Sequence, residues 1–169
     1  MATVPNQSRN DKLPKRRIVI VGIGNILLSD EGIGVHVINE LKNVQLPENV
    51  EIHDCGTGGL SILNVLDKAE KAVIIDAVRG GSSPGSIYRF MLDEILTEDR
   101  RLRMTSLHDL DLTTALKIAE LTHLYQLPTE MVVIGVEPAS IEMGMELSPQ
   151  IRRTMPKIID LVLKEIKRD

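Results

Sequence analysis

The sequence is poor in aromatic residues: its 169 residues include no tryptophan, two tyrosines and one phenylalanine. The core must therefore be aliphatic, and the apolar fraction of 43% is ordinary for a globular protein. The same scarcity removes the stacking platforms on which proteins bind single-stranded nucleic acid. A net charge of -4 also provides no basic excess for a phosphate backbone, so the composition argues against nucleic-acid binding.

Other absences narrow the class of protein further. The single cysteine, Cys55, excludes an internal disulfide, and no apolar run approaches the length of a membrane span. The polar N-terminal stretch has no hydrophobic segment typical of a secretion signal, so we expect a cytoplasmic protein that does not associate with membranes. Residues 1–15 are predicted to form a flexible arm, and residues 16–169 suffice for a single domain.

Short β-branched runs alternate with helical patterns along most of the chain, and this order indicates an α/β fold. The predicted strands are 18–21, 50–54, 72–75, 86–92 and 131–136, with long helices at 106–126 and from 150 to about 167. The succession β-α-β-α-β predicts parallel strands joined by right-handed crossovers. Residues 86–92 alternate only weakly, which indicates an edge strand that could be antiparallel. We predict a three-layer α/β/α sandwich with a twisted, mostly parallel five-stranded sheet.

The segment from Arg17 to Leu41 joins the first strand to a helix through a glycine loop, which is also how a dinucleotide-binding site begins. Gly22 and Gly24 match the first two glycines of that fingerprint, but the third position holds Leu27. Asp54, at the end of the next strand, lies where a ribose-binding acid could be. A nucleotide-binding protein is therefore a disfavoured alternative.

The helix that follows this loop begins with acids. Ser29 and Asp30 are predicted to be N-caps, and Glu31 is suited to the positive end of a helix. Phosphate-binding helix starts offer bare N–H groups, whereas carboxylates would repel a pyrophosphate. The loop therefore favours a cation over a nucleotide.

Further polar residues follow the predicted strands, at the edge where ligands bind in open α/β sheets. The candidates are Asn25, Asp30, Glu31, Asp54, Thr57, Asp76, Glu137 and, in the first turn of the long helix, His108. Each has a structural explanation by itself; Asp76, for example, could simply cap a turn. A Glu, an Asp and a His from three separate loops would instead form an oxygen, oxygen, nitrogen ligand set with open positions, which is typical of a transition-metal site.

Two other patterns contain nucleophile residue types without the context that nucleophilic catalysis requires. Cys55 lies in a glycine-rich loop, where a lone cysteine is more often a small buried residue. The run from Ser106 to Asp109 includes serine, histidine and aspartate, but the sequence has no nucleophile elbow.

Taken in order, several motifs of this chain resemble those of the nickel–iron hydrogenase maturation endopeptidases. The matching segments are 21–34 (VGIGNILLSDEGIG), 54–59 (DCGTGG), 75–77 (IDA), 84–85 (PG), 106–108 (SLH), 135–138 (GVEP) and 147–149 (LSP). The resemblance runs from about residue 18 to the C-terminus and implies a twisted, mostly parallel sheet between helices.

The resemblance also implies an activity: removal of a short C-terminal extension from a hydrogenase large-subunit precursor after nickel insertion. The family's metal-binding trio falls on Glu31, Asp76 and His108, to which we also assign catalysis. The nickel would arrive in the substrate rather than as a tightly held cofactor. Whether hydrolysis depends on nickel or is of the aspartic type, with Asp76 for example as general base, is left open.

The remaining expectations concern binding. Asp54 and the loop of Gly56, Thr57, Gly58 and Gly59 are expected to shape the cleft or to hold the peptide backbone. The position of Cys55 also accepts glycine in the family, so no catalytic role is carried over to it. The expected partner is the precursor, and the protein is expected to be a monomer. A non-enzymatic nickel metallochaperone or binding module using the same trio is the alternative function.

Overall fold

The computed structural model describes residues 16–91, 105–106 and 109–168. Its strands are β1 (Ile18–Gly22), β2 (Val50–Asp54), β3 (Lys71–Arg79), β4 (Ile87–Met91), β5 (Thr105–Ser106) and β6 (Glu130–Val136). Its helices are α1 (Ile33–Leu41), α2 (Ile62–Leu66), α3 (Asp109–Thr122) and α4 (Pro149–Glu165), with short 3-10 turns at Ser29–Gly32 and Gly59–Ser61. The predicted arm at 1–15 and the candidate His108 lie outside the described residues.

The main sheet confirms the predicted architecture. Its strand order is β2-β1-β3-β6-β4, and all neighbouring pairs are parallel except β4 with β6. The strand predicted as a possible antiparallel edge is therefore the antiparallel edge strand β4. Ser148 caps α4 by accepting a hydrogen bond from the Ile151 N–H, and Pro149 occupies the first helical position, where a missing N–H costs nothing.

Helices cover both faces of the sheet and give the predicted three layers. Along β1, Ile18 and Ile20 face the core that α1 and α4 cover, while Val19 and Val21 face the core that α2 and α3 cover. This alternation is the two-residue period of a strand buried on both faces. Aliphatic side chains dominate both cores, as the lack of aromatic residues requires.

Several predicted boundaries are wrong; the long helix, for example, ends at Thr122 and not at residue 126. The sequence predicts that the third strand ends before Asp76, but β3 continues to Arg79, so Asp76 lies inside it, opposite Gly135 of β6. The acid resembles a strand end because charged residues are rare in central strands. The sequence also predicts that the long helix begins at residue 106, but Ser106 belongs to β5, which pairs with Val78 and Arg79. A two-residue strand has no periodic signal that a sequence could show.

A buried ionic network fastens α4 to the sheet near the amino ends of β3 and β6. The Nζ atom of Lys71, fully buried, lies 2.7 Å from Oε1 of Glu130 and 3.1 Å from the carbonyl oxygen of Arg168. Arg89 donates to both carboxylate oxygens of the fully buried Glu165, at 2.8 and 2.7 Å. These hydrogen bonds hold the pKa of Glu165 below its ordinary value.

Lys71→Met is expected to destabilise the protein by about 3 kcal/mol, because it removes the buried cation that pairs with Glu130 and leaves the carbonyl oxygen of Arg168 without this donor. Lys164→Met is the matched control, since Lys164 pairs with Asp160 on the surface, where an ion pair contributes at most ~0.5 kcal/mol. Urea unfolding followed by circular dichroism measures both. Equal losses in the two variants would contradict a structural role for the network.

Candidate functional site

The start of α1 lies unusually close to the carboxyl end of the sheet. A Cβ atom on Gly34 would lie 2.2 Å from the carbonyl oxygen of Ile23 and 2.4 Å from that of Ile75. A Cβ atom on Gly24 would lie 2.2 Å from the carbonyl oxygen of Glu31. None of these three separations is possible for a real side chain, so only glycine permits this approach. The two glycines therefore set the position of Glu31 relative to the sheet.

Glu31 and Asp76 belong to two segments that meet at this edge. Both residues are buried, with exposed fractions of 6% and 4%. The 3-10 turn that carries Glu31 contacts β3. Gly22, the last residue of β1, pairs with Ile75, so the next residue of β3, Asp76, lies just beyond the end of β1. The structure thus brings two of the three predicted site residues to one edge.

The third member, His108, lies outside the described residues, so the geometry of the complete trio stays a prediction. Within the part of the chain that the structure describes, no group of three or more His, Cys, Asp or Glu side chains is placed to hold a metal ion. Oδ1 of Asp76 accepts a hydrogen bond from the N–H of Ala77 at 2.8 Å, which fixes one carboxylate oxygen.

Asp30 has a role that the sequence did not reveal. Its carboxylate accepts backbone N–H bonds from Ala139 and Ser140 at 2.9 Å each, and from Ser148 at 2.7 Å. Its side chain makes no capping hydrogen bond to its own helical segment, so the predicted N-cap role is wrong, as it is for Ser29. The buried Asp30 side chain instead fastens the loop 139–148 to the turn beside Glu31.

Asp30→Asn is expected to reduce the free energy of unfolding by about 3 kcal/mol, because the amide replaces an acceptor with a donor that faces backbone N–H groups. Asp160→Asn is the matched control, since Asp160 is exposed in a surface ion pair, and should cost at most ~0.5 kcal/mol. Chemical unfolding measures both, and amide hydrogen exchange should accelerate at Ala139, Ser140 and Ser148. Unchanged exchange there would contradict the anchoring role.

Glu137, another predicted candidate, holds the turn after β3. Its Oε2 atom accepts hydrogen bonds from the hydroxyl of Tyr88 at 2.5 Å and from the N–H of Gly80 at 2.8 Å. Burial alone would raise the pKa of Glu137, but these hydrogen bonds outweigh it and keep the pKa below its ordinary value. These contacts give Glu137 a structural task at the same edge of the sheet.

The predicted substrate-binding loop lies beside the glycine loop of β1. The N–H of Gly24 donates to the carbonyl oxygen of Gly56 at 2.7 Å, and the exposed Asp54 accepts from the N–H of Gly56 at 2.9 Å. Gly56, Gly58 and Gly59 have φ values of 50°, 82° and 76°, a region that favours glycine. The exposed Thr57 lies between them. Peptide binding by Asp54 and this loop stays a prediction.

Two further side chains at this edge have structural explanations. Burial, with a smaller contribution from the neighbouring Asp54, raises the pKa of the Cys55 thiol to about 11. The thiol therefore stays protonated near neutral pH and is a poor nucleophile, in keeping with the absence of a catalytic role for Cys55. Asn25 accepts a hydrogen bond from the N–H of Leu27 at 3.0 Å and shapes the glycine loop.

Comparisons with known proteins identify the family. The model of the hydrogenase maturation protease family HycI matches residues 35–165. The expression and formation protein HupD of Bradyrhizobium diazoefficiens is 35% identical over 147 residues, which are 86% of this chain and 75% of HupD. The chain therefore belongs to the hydrogenase maturation protease family, a family of endopeptidases.

Solved structures agree with this assignment. The hydrogenase maturating endopeptidase HybD from E. coli is 31% identical, with a TM-score of 0.79 over 89% of this chain and 92% of HybD. The nickel–iron hydrogenase maturation protease HybD from Thermococcus kodakarensis is 27% identical, with a TM-score of 0.76 over 89% of this chain and 99% of that protein. Among the described residues, no helix combines the length and apolar composition that crossing a bilayer requires.

Proposed function

We propose that this endopeptidase removes the C-terminal extension of a nickel–iron hydrogenase large-subunit precursor after nickel insertion, and that it recognises the nickel bound in that substrate. The observation that carries the proposal is the placement of two buried acidic residues, Glu31 and Asp76, on segments that contact each other at the carboxyl edge of the sheet, in a chain of this family. Buried carboxylates are costly unless a cation or hydrogen-bond donors compensate them.

The ligand chemistry suits a metal that is shared with a substrate. Glu31 and Asp76 supply oxygen atoms, and His108 would supply an imidazole nitrogen. Three protein ligands leave positions for donors from the precursor, so the site is complete only when the client is bound. In the nickel-dependent mechanism, the client's nickel would supply Lewis-acid polarisation of the scissile carbonyl group or of a water molecule.

Hydrolysis itself needs proton transfer. A water molecule loses a proton and adds to the carbonyl carbon, the C–N bond breaks, and the leaving nitrogen takes up a proton. If the mechanism is aspartic rather than nickel-dependent, we assign the role of general base to Asp76. Asp54 and the loop 56–59 would hold the peptide backbone beside this centre. A cytoplasmic location and a monomeric state stay predictions from the sequence.

Cleavage is expected to require nickel in the substrate. Purified precursor, nickel-loaded or nickel-free and with the tail equally exposed, is incubated with the wild-type enzyme, and the shortened product is followed by mass spectrometry. Glu31→Gln, Asp76→Asn and His108→Ala should each slow cleavage of the loaded precursor by about 100-fold or more. Cys55→Ala is the control and should retain activity, because the protonated thiol has no chemical role.

Equal cleavage rates on loaded and nickel-free precursor would reject nickel sensing and leave Asp76 as the leading catalytic acid–base. Stoichiometric binding of the loaded precursor without any cleavage would instead support the alternative function of a nickel metallochaperone or binding module.

Without its client, the enzyme is expected to hold nickel weakly. Only three ligands are proposed, and they come from separate segments of the chain, so affinity should be low until the precursor completes the coordination sphere. Inductively coupled plasma mass spectrometry after dialysis against a chelator should find far less than one nickel or zinc per chain. One equivalent of metal surviving this treatment would show a resident cofactor and refute the expectation.

A further inference from the structure

Three large apolar side chains are exposed on the loops next to Glu31. Leu27 is 57% exposed, Met143 90% and Met145 59%. We call these three residues the methionine patch. Single exposed apolar residues are common on protein surfaces, whereas neighbouring ones mark sites at which other molecules bind. The question is therefore whether the three lie together.

Backbone hydrogen bonds hold the two loops of the patch side by side. The N–H of Gly144 donates to the carbonyl oxygen of Leu27 at 2.9 Å, and the N–H of Ser29 donates to the carbonyl oxygen of Gly144 at 2.7 Å. Leu28 and Gly144 form a parallel β-bridge. Because Met143 and Met145 flank Gly144, both methionines emerge next to the segment that carries Leu27.

The patch is also held in a fixed position relative to the candidate site. Asp30, between the patch segment and Glu31, accepts N–H bonds from Ala139, Ser140 and Ser148, which lie on either side of the two methionines. Movement of the patch away from Glu31 would break these buried bonds. These hydrogen bonds therefore tie the loop that carries the two methionines to the turn that carries Glu31.

The side chains of the patch suit a protein surface as partner. Methionine is unbranched and polarizable, so it adapts to irregular apolar surfaces, and its burial on binding is favourable. The flanking Glu142 is exposed and acidic, and the nearby edge carries Glu31 and Asp76. An apolar segment beside a positive centre is complementary to this arrangement, and the nickel ion of a loaded precursor would supply the positive centre.

We propose that the methionine patch is the docking surface for the precursor and binds an apolar segment next to the scissile bond. This inference rests on the proposed function, because the precursor is its occupant. Docking at the patch would place the client's metal and peptide bond at the edge formed by Glu31 and Asp76. The patch is thus assigned to binding, and not to the chemical step.

Two double variants test the assignment. Met143→Gln with Met145→Gln replaces the exposed thioethers by polar side chains of similar length. The matched control is Leu121→Gln with Leu124→Gln, because these leucines are 82% and 76% exposed. The control pair lies beyond the opposite edge of the sheet, where the carbonyl oxygen of Gln126 accepts from the N–H of Lys68 near the start of β3. Unfolding temperatures should match wild type in both, since all four side chains are exposed.

Binding and turnover are measured separately on nickel-loaded precursor. The methionine variant should raise KM by about tenfold, with kcat within about twofold of wild type, which is the signature of lost binding at a surface outside the reacting centre. In a Glu31→Gln background, in which cleavage should be slow enough for binding to be measured, the Kd for the precursor should rise by a similar factor. The control pair should change neither value, and Met143→Leu with Met145→Leu should restore both.

The outcomes separate this proposal from the proposed function. If wild-type protein binds the precursor without cleaving it, the proposed function fails, while the Kd comparison still decides the patch. If wild-type protein cleaves and the methionine variant matches it in KM and Kd, the patch proposal is overturned alone. The patch proposal also fails if the variant converts a dimer to a monomer in analytical ultracentrifugation while Kd is unchanged, because the patch would then join two copies of this chain.

Discussion

The carboxyl edge of this protein depends on the three hydrogen bonds that backbone N–H groups donate to Asp30. A buried carboxylate loses its hydration, and only well-placed donors offset that cost. These donors come from residues more than 100 positions away, so one side chain joins the first βα turn to the loop 139–148 and to the start of α4. These hydrogen bonds also help to fix the position of Glu31, the next residue in the chain.

Charged residues are arranged differently at the amino and carboxyl ends of the strands. Near the amino ends of β3 and β6, Lys71, Arg89 and Glu165 pair with one another or with neighbours, and the charges compensate within the protein. At the carboxyl edge, Glu31 and Asp76 bring two acids to one place. Under the proposed function, the two acids gathered at the carboxyl edge would serve as ligands for the metal of the client.

Much of the fold could be predicted because its signals are local. The β-branched runs of β1, β2, β3 and β6 and the cap at Ser148 are visible in a few residues of sequence. The errors arose where residues distant in sequence determine the local structure. Asp76 lies within a strand because Gly135 pairs with it, and Asp30 binds a remote loop instead of capping its helix. Glu31 and Asp76 lie on segments that meet at one edge, whereas their grouping with His108 into a site, which both the residue types and the family resemblance favour, stays a prediction.

Recognition of the client would then use two kinds of interaction with different dependence on nickel. Apolar docking at Leu27, Met143 and Met145 depends on surface area and is indifferent to whether the metal has been inserted. Coordination by Glu31, Asp76 and His108 depends on the metal itself. The Asp30 hydrogen bonds connect the methionine patch to the turn that carries Glu31. A precursor docked at the patch would therefore present its metal position to the trio whether or not nickel has been inserted. Nickel would then strengthen the binding of a docked client and would be required for its cleavage, so that the irreversible step follows metal insertion.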